Sequence, residues 1–359
     1  MSPLFIPGPV DIHPDVLAAL SQPMMYHRGA VFETLYHQVE KKARPLFSTS
    51  RHVYITSFSG TGTMELAMRS FVENDVLICV SGGFSSRWYD IALANGKRAT
   101  LLQVEPGKPI LPEFIEQQLR KQFFEAVAIV HNETSSGVEN PIAEIAALIH
   151  DQSPETLILL DCVSSMGGAP ILFDEWQLDY AFGSINKCLA VPPGLAISVA
   201  SEKALAKADK VNNRGWFLDV LRLEKHHALN TVPSTPAVSL FYALSVQLDR
   251  IQQEGLQNRF DRHQQMAERI AAWGEQNNMA SIAEKPYRSK TMTTMKNGHH
   301  LNFFDLRRYL MAHNLEIANG YDELKDVTFR IANMGELQMT DVDHLLHTLE
   351  AYIAENKRG

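Results

Sequence analysis

The chain has 359 residues, of which 45% are hydrophobic and 21% charged, and its formal net charge is −8. This length exceeds what one hydrophobic core usually supports, so we expect two domains, and the acidic balance argues against a nucleic-acid-binding protein, which needs a basic face. No apolar run approaches the roughly 18 residues of a membrane span, and the start of the chain lacks the basic-then-apolar order of a signal peptide, so we expect a soluble, cytoplasmic protein. The three cysteines are odd in number and lack metal-ligand spacing, which argues against structural disulfides and a metal site.

The first predicted elements are an extended segment and two helices. Prolines within residues 5–10 favour a stiff extended conformation. A short helix is predicted over residues 13–20 and a long amphipathic helix over residues 31–47, with His27 and Arg28 shortly before the second helix. Arg28, taken alone, fits a surface ion pair as well as a ligand contact.

A glycine-rich turn follows the first predicted strand, residues 53–56. Ser59, Gly60, Thr61 and Gly62 stand between this strand and a helix predicted over residues 64–72. Backbone N–H groups at such a helix start can bind an anion, and hydroxyl groups add donors. The segment lacks the third glycine of a dinucleotide-binding fingerprint, so a phosphate site of another kind is favoured.

Strands and helices then alternate through residue 200, which predicts a mainly parallel sheet with its ligand crevice at the carboxyl ends of the strands. Strands are predicted over residues 76–80, 126–130, 157–161, 180–183 and 195–200. The strand over 157–161 ends in Asp161, and the strand over 180–183 leads to Lys187 before a Pro-Pro-Gly turn.

Asp161 and Lys187 together suggest a specific chemistry. A lysine in a partly desolvated pocket can form a Schiff base with an aldehyde, and pyridoxal phosphate is the commonest aldehyde cofactor held in this way. A carboxylate beside its ring nitrogen would keep that nitrogen protonated. Either residue alone would be read as a surface lysine or a helix-capping aspartate.

The remaining third of the chain predicts a smaller α+β domain. Long helices are predicted over residues 238–255 and 259–277, followed by strands over 291–295 and 327–331 and helices over 300–313 and 340–355. We therefore divide the chain into an N-terminal arm (1–15), a large domain (16–259) and a small domain (260–359).

Five segments resemble the class V aminotransferases of the aspartate-aminotransferase fold. They are SGTGTMELA, HNETSSGVENPI, DCVSSMGG, GSINKCLAVPPG and FRIANMG, and they follow the family's order over nearly the whole chain. The resemblance implies a fold type I enzyme that binds pyridoxal 5′-phosphate and exchanges amino groups between amino acids and 2-oxo acids.

The resemblance also implies roles for individual residues. Lys187 would carry the cofactor and Asp161 would pair with its ring nitrogen, while Arg330 would clamp the substrate carboxylate. Gly8 and Arg28 would be further substrate-binding residues. Phe84 would stack on the cofactor ring, with Trp88 as the alternative. The other cofactor-binding residues would be Ser59, Gly60, Thr61, Thr134, Val163, Ser184, Asn186 and Thr235. Thr235 would reach the cofactor of a partner subunit, which implies a homodimer with shared active sites.

The resemblance leaves the substrate open. An alanine or serine donor with glyoxylate or pyruvate as acceptor is our first interpretation, favoured by His27-Arg28 and SGTGTME. Asn186 and RIANMG favour a 2-aminoethylphosphonate:pyruvate transaminase instead, and a phosphoserine or aspartate donor also stays open. A lyase or cysteine desulfurase fits less well, because no cysteine follows Cys188.

Overall fold

Two β-sheets and the helices around them form the fold, as described by a computed structural model for residues 3–356. The strands are β1 (Leu4–Phe5), β2 (Tyr54–Thr56), β3 (Asp75–Val80), β4 (Arg98–Gln103), β5 (Ala126–Val130), β6 (Asn132–Glu133), β7 (Val138–Glu139), β8 (Leu157–Asp161), β9 (Tyr180–Ser184), β10 (Ala196–Ala200), β11 (Met292–Lys296), β12 (Glu316–Asn319) and β13 (Thr328–Ala332). The α-helices are α1 (Pro14–Ala19), α2 (Ala30–Ala43), α3 (Gly60–Phe71), α4 (Ser86–Ala94), α5 (Pro112–Leu119), α6 (Ile142–Gln152), α7 (Glu202–Ala208), α8 (Val220–His227), α9 (Val238–Glu254), α10 (Leu256–Gln276), α11 (Phe303–Ala312) and α12 (Met339–Asn356). None of the helices described is both long and apolar enough to cross a membrane.

The large sheet has seven strands in the order β2-β10-β9-β8-β5-β3-β4. Strands β9, β8, β5, β3 and β4 run parallel to one another, whereas β10 is antiparallel to both β9 and β2. Every residue of β5, β8 and β9 is buried, as expected for strands covered by helices on both faces. The predicted mainly parallel sheet is confirmed.

The small sheet has four strands in the order β1-β12-β13-β11. Its first strand comes from the N-terminal arm, and β1 pairs in parallel with β12. The apolar faces of α10, α11 and α12 cover this sheet and form a core separate from those of the large sheet. The predicted boundary between the large and small domains, at residue 259, falls inside α10 and stays a prediction. Residues 1–2 of the arm and 357–359 of the small domain lie outside the described residues.

Several predicted boundaries differ from the structure. Helix α3 begins at Gly60, four residues before the predicted start at residue 64, because the Ser59 side chain accepts a hydrogen bond from Gly62 N (3.2 Å) and caps the helix. The glycine-rich segment is therefore the first turn of the helix. The helix predicted over 31–47 ends as α2 at Ala43, and a 3₁₀ turn completes it over Arg44–Phe47.

A buried arginine joins the two chain segments that carry the predicted site. Arg259, at the start of α10, is 1% exposed. One of its terminal nitrogens donates to Cys188 O (2.7 Å) and Gly335 O (3.1 Å), and it also contacts Glu336 (3.0 Å). Arg259 thus links the residue after Lys187 to the loop that follows β13.

Candidate active site

Most of the predicted site residues meet at the carboxyl ends of the large-sheet strands. A cavity of about 180 Å³ lies there. Predicted residues that line it are Ser59, Gly60, Thr61, Phe84, Thr134, Asp161, Val163, Ser184, Asn186 and Lys187. Five other lining residues were not predicted from the sequence, namely Met64, Arg87, Val130, Asn132 and Ser164.

Asp161, the last residue of β8, forms a buried acidic wall of the cavity. Asp161 is only 4% exposed, and its Oδ1 accepts a hydrogen bond from Val163 N (2.7 Å). Burial raises the pKa of Asp161 to about 7, and the charge of Glu133 adds to this, while Lys187 and Arg87 oppose it. A cationic partner in the cavity would favour the ionised carboxylate.

Lys187 lies on the turn after β9, beside the N-terminal arm. Its Nζ donates a hydrogen bond to Pro7 O. Burial lowers the pKa of Lys187 to about 8, and the positive charge of Arg330 acts in the same direction. A substantial fraction of the amine is therefore neutral near pH 8, as a nucleophile or base must be.

Gly8, predicted to contact substrate, packs directly against Lys187. A Cβ atom on Gly8 would lie 2.7 Å from Lys187 Cδ and 2.9 Å from Asn186 O, and its φ of +87° is a left-handed value that glycine adopts without strain. Only glycine fits here without displacing the lysine.

The first turn of α3 has the groups that an anion site needs. Ser59, Gly60 and Thr61 line the cavity and bring two hydroxyl groups and the N–H groups of a helix start, which have no acceptor within the helix itself. A Cβ atom on Gly60 would lie 2.6 Å from Val163 Cγ2, so glycine permits the close packing of this turn on Val163. Arg87 adds a cation, because its Nη1 donates to Thr61 Oγ1 (3.0 Å). The only sequence signal for Arg87 was its position three residues after Phe84.

The aromatic residue at the cavity is Phe84, in the loop after β3. Trp88, the alternative from the sequence, is fully buried in the core and packs edge-on against Phe182 with ring centres 5.8 Å apart. Its ring faces the helix–sheet interface, so it cannot stack on a ligand in this cavity. Thr134 and Ser164 also line the cavity and are hydrogen-bonded to each other, with their hydroxyl oxygens 2.6 Å apart.

Glu133, which is fully buried, holds the Phe84 loop in place. Its carboxylate accepts hydrogen bonds from Phe84 N (3.2 Å) and from Ser85 N (2.8 Å) and Oγ (2.7 Å). It also accepts from Ser135 N (3.0 Å) and Oγ (2.7 Å). A carboxylate is required because every one of these partners is a donor.

Replacing Glu133 with glutamine is expected to lower the free energy of unfolding by about 1–3 kcal/mol, because an amide NH₂ would face donors and leave at least one buried group unpaired. Urea denaturation of the purified variant measures this loss. Glu105→Gln, at an exposed position, is the matched control and should change the unfolding free energy by less than about 0.5 kcal/mol. Equal stability of Glu133→Gln and the unaltered protein would contradict the proposed anchoring.

Arg330 lies on β13 and does not line the cavity, but its positive charge acts on Lys187. It is 8% exposed, and its Nε donates to Asn319 O (2.8 Å). Burial lowers the pKa of Arg330. Its Nη1 is buried and has no hydrogen-bond partner within residues 3–356. A buried unpaired guanidinium N–H calls for an anionic ligand.

Two predicted residues, Arg28 and Thr235, lie away from this cavity. Both are exposed, and neither lines the cavity of its own chain. Helix α9 begins at Val238 with Ala237 as its N-cap, so Thr235 does not cap that helix. Within one chain, neither residue therefore lines the candidate site.

The chain matches the aminotransferase class-V family model over residues 15–332. It is 35% identical to an uncharacterized aminotransferase of Methanocaldococcus jannaschii over 92% of this chain and 87% of that protein. It is 30% identical to a serine–glyoxylate aminotransferase of Methylorubrum extorquens over 93% of this chain and 86% of that protein. The crystal structure of an alanine–glyoxylate aminotransferase from Nostoc sp. superposes with a TM-score of 0.91 at 31% identity, covering 98% of this chain and 94% of that one.

Proposed function

The chain belongs to the class V aminotransferases, which use pyridoxal phosphate, and we propose that it transfers the amino group of a small amino acid, alanine or serine, to glyoxylate or pyruvate. The family and the fold predicted from the sequence are both confirmed. The serine–glyoxylate and alanine–glyoxylate relatives support this choice of substrates.

One observation carries the proposal: a lysine of lowered pKa and a buried carboxylate line the same cavity, and Arg330, whose charge acts on that lysine, has a buried Nη1 without a hydrogen-bond partner in the described part of the chain. The residues present fit pyridoxal phosphate. The first turn of α3 and Arg87 offer donors and positive charge for its phosphate, and Asp161 offers the carboxylate for its ring nitrogen. When bound, the cofactor supplies the electron sink that makes the substrate Cα–H acidic.

In this proposal each side chain has a defined task. Arg330 binds the substrate carboxylate through its free Nη1, which orients the Cα–H bond. The neutral amine of Lys187 takes the Cα proton and returns a proton to the carbon that becomes the new C–H, since a base within hydrogen-bond reach is what this transfer needs. Phe84 and Val163 line the cavity and would provide apolar surface for the cofactor ring. Thr134, Ser184 and Asn186 complete the cofactor contacts.

The three cysteines give no support to a desulfurase. Cys79, Cys162 and Cys188 are all buried, and burial raises the pKa of Cys188 to about 12. A thiol held in this way is a poor nucleophile. The free thiols agree with a cytoplasmic location, which we also propose. A 2-aminoethylphosphonate, phosphoserine or aspartate donor is the competing substrate.

We further propose a homodimer in which Thr235 and Arg28 serve the partner's site. Both are exposed, and large exposed apolar side chains occur along the same two segments, namely Met24, Tyr26, Val31, Trp216, Phe217 and Leu229. Large apolar side chains exposed in such number along two segments are a feature of protein interfaces. Sedimentation of the purified protein at micromolar concentration should give twice the chain mass, and a monomer would refute this part of the proposal.

The absorbance spectrum of the cofactor-loaded protein tests the function. Alanine, serine, aspartate, phosphoserine and 2-aminoethylphosphonate are added singly, and the band of the aldehyde form is followed. Bleaching by alanine or serine, reversed by glyoxylate or pyruvate, is the expected result. Bleaching by one of the other three donors alone would reassign the substrate, and no bleaching by any of the five would overturn the proposed transaminase.

A further inference from the structure

We propose that Tyr321 is a positioning residue that fixes the orientation of the Arg330 guanidinium and its position relative to the Phe84 ring. This inference rests on the proposed function, because it assigns Arg330 to the substrate carboxylate. Tyr321 lies in the turn between β12 and β13 and belongs to none of the motifs identified in the sequence. Its ring contacts both Arg330 and Phe84.

The turn that carries Tyr321 is rigid. Gly320 N donates to Thr328 O (3.0 Å), and the Thr328 hydroxyl donates back to Leu324 O (2.9 Å). The Asn319 side-chain oxygen accepts from Gly320 N (2.8 Å) and Asp326 N (3.0 Å). Bonds at both ends of the turn therefore fix the position of the Tyr321 backbone.

This turn contacts the Arg330 side chain at two points. The Asn319 carbonyl accepts from Arg330 Nε (2.8 Å), and Arg330 Cζ lies 5.3 Å from the centre of the Tyr321 ring. That distance is within the range of a cation–π interaction, which strengthens when the cation is desolvated. Because Nε is hydrogen-bonded and the guanidinium carbon lies over the Tyr321 ring, rotation of the group is restricted, while Nη1 has no hydrogen-bond partner among the described residues and can bind a ligand.

The same ring packs on the cavity aromatic. Tyr321 and Phe84 are stacked, with ring centres 4.7 Å apart and planes inclined by 26°. A Cβ atom on Gly83 would lie 2.7 Å from Tyr321 Cδ1 and Cε1, so glycine at 83 permits this approach. Tyr321 therefore connects the turn after β12 in the small sheet to the loop after β3 in the large sheet.

The physical consequence is preorganisation of carboxylate binding. Without the aromatic ring, the Asn319 contact persists but the guanidinium can tilt, and Phe84 loses its stacking partner. A carboxylate ligand must then order Arg330 on binding, which lowers affinity without removing any group that moves a proton. The Michaelis constant should therefore change more than kcat.

Tyr321→Leu and Tyr321→Phe test this role in the cofactor-loaded enzyme. Tyr321→Leu is expected to raise KM for alanine and pyruvate about tenfold with kcat changed less than about threefold, whereas Tyr321→Phe retains the ring and should stay within about twofold on both. Should Tyr321→Leu fail to fold, Tyr321→Met takes its place. Visible circular dichroism of the bound cofactor is expected to weaken in the leucine or methionine variant, because Phe84 is released.

Calorimetric titration of pyruvate into the same proteins separates this inference from the proposed function, because binding needs no turnover. Weaker pyruvate binding by Tyr321→Leu would support the role of Tyr321 even if the unaltered protein did not transaminate. Unchanged pyruvate affinity and KM would overturn the inference. A fall in thermal stability and kcat with KM unchanged would also overturn it, since that pattern indicates a purely structural residue.

Discussion

Lys187→Ala is expected to lower kcat for transamination by at least about a thousandfold, because it removes the only lysine that lines the described cavity. Burial already lowers the pKa of this amine to about 8, so the neutral form required for proton transfer is accessible near neutral pH. The substitution also removes the amine that would attach covalently to the cofactor aldehyde. The loss should appear in kcat and not only in KM, since Lys187 acts on the reacting atoms.

Single-turnover absorbance measurements with alanine test this expectation, and they separate loss of chemistry from loss of the cofactor. Lys296→Ala is the matched control, because Lys296 is exposed at the end of β11, and it should retain full activity. A small external amine added at millimolar concentration is expected to restore part of the rate of Lys187→Ala by acting as a base. Normal turnover in Lys187→Ala would eliminate the proposed mechanism.

Asp161→Asn is expected to have opposite effects on activity and on the stability of the protein without cofactor. Activity should fall about a hundredfold or more, because a neutral amide cannot keep a ring nitrogen protonated or balance its charge. The free energy of unfolding should rise, because an ionised carboxylate in this buried position is costly. The shift of the pKa from 3.8 to about 7 corresponds to roughly 4 kcal/mol when Asp161 is fully ionised.

The pH dependence gives the sign of this stability effect. The pKa of Asp161 is higher in the folded state than in the unfolded state. Its contribution to the free energy of unfolding is therefore greatest below pH 3.8, where the carboxyl group is protonated in both the folded and the unfolded protein. That contribution is lost as the pH rises towards about 7, where the folded state also loses the proton. The stability advantage of Asp161→Asn should therefore be about 2–3 kcal/mol larger at pH 8.5 than at pH 5.

Urea denaturation of the cofactor-free proteins at the two pH values measures this difference, and the alanine half-reaction measures the activity. Asp90→Asn, at an exposed position on α4, is the control and should alter neither. A variant that is less stable than the unaltered protein at pH 8.5 would show that Asp161 has a stabilising partner within the protein. Full activity of the variant would remove Asp161 from the proposed mechanism.

The elements that the sequence predicted best are the buried strands and the long apolar helices. Strands β5 and β8 lie at the predicted residues because short apolar runs between polar ends are a local signal. The elements that were missed include α4, β4, α5, α6, α8 and β12. Strand β4 illustrates the reason: it lies at the edge of the large sheet and none of its residues is fully buried, so its apolar pattern is weak.

The sequence alone determined which chemistry this protein carries. Lys187, Asp161 and the Ser59–Thr61 turn each follow a strand or begin a helix, and local patterns are sufficient to place such residues at one edge of a parallel sheet. What only the tertiary structure decided is how residues from distant segments support that chemistry. Gly8 against Lys187, Arg87 beside Thr61, Phe84 at the cavity in place of Trp88, and Tyr321 between Phe84 and Arg330 all depend on contacts between segments far apart in the chain. Local propensities carry no information about such contacts, because they form only when packing of the two sheets brings those segments together.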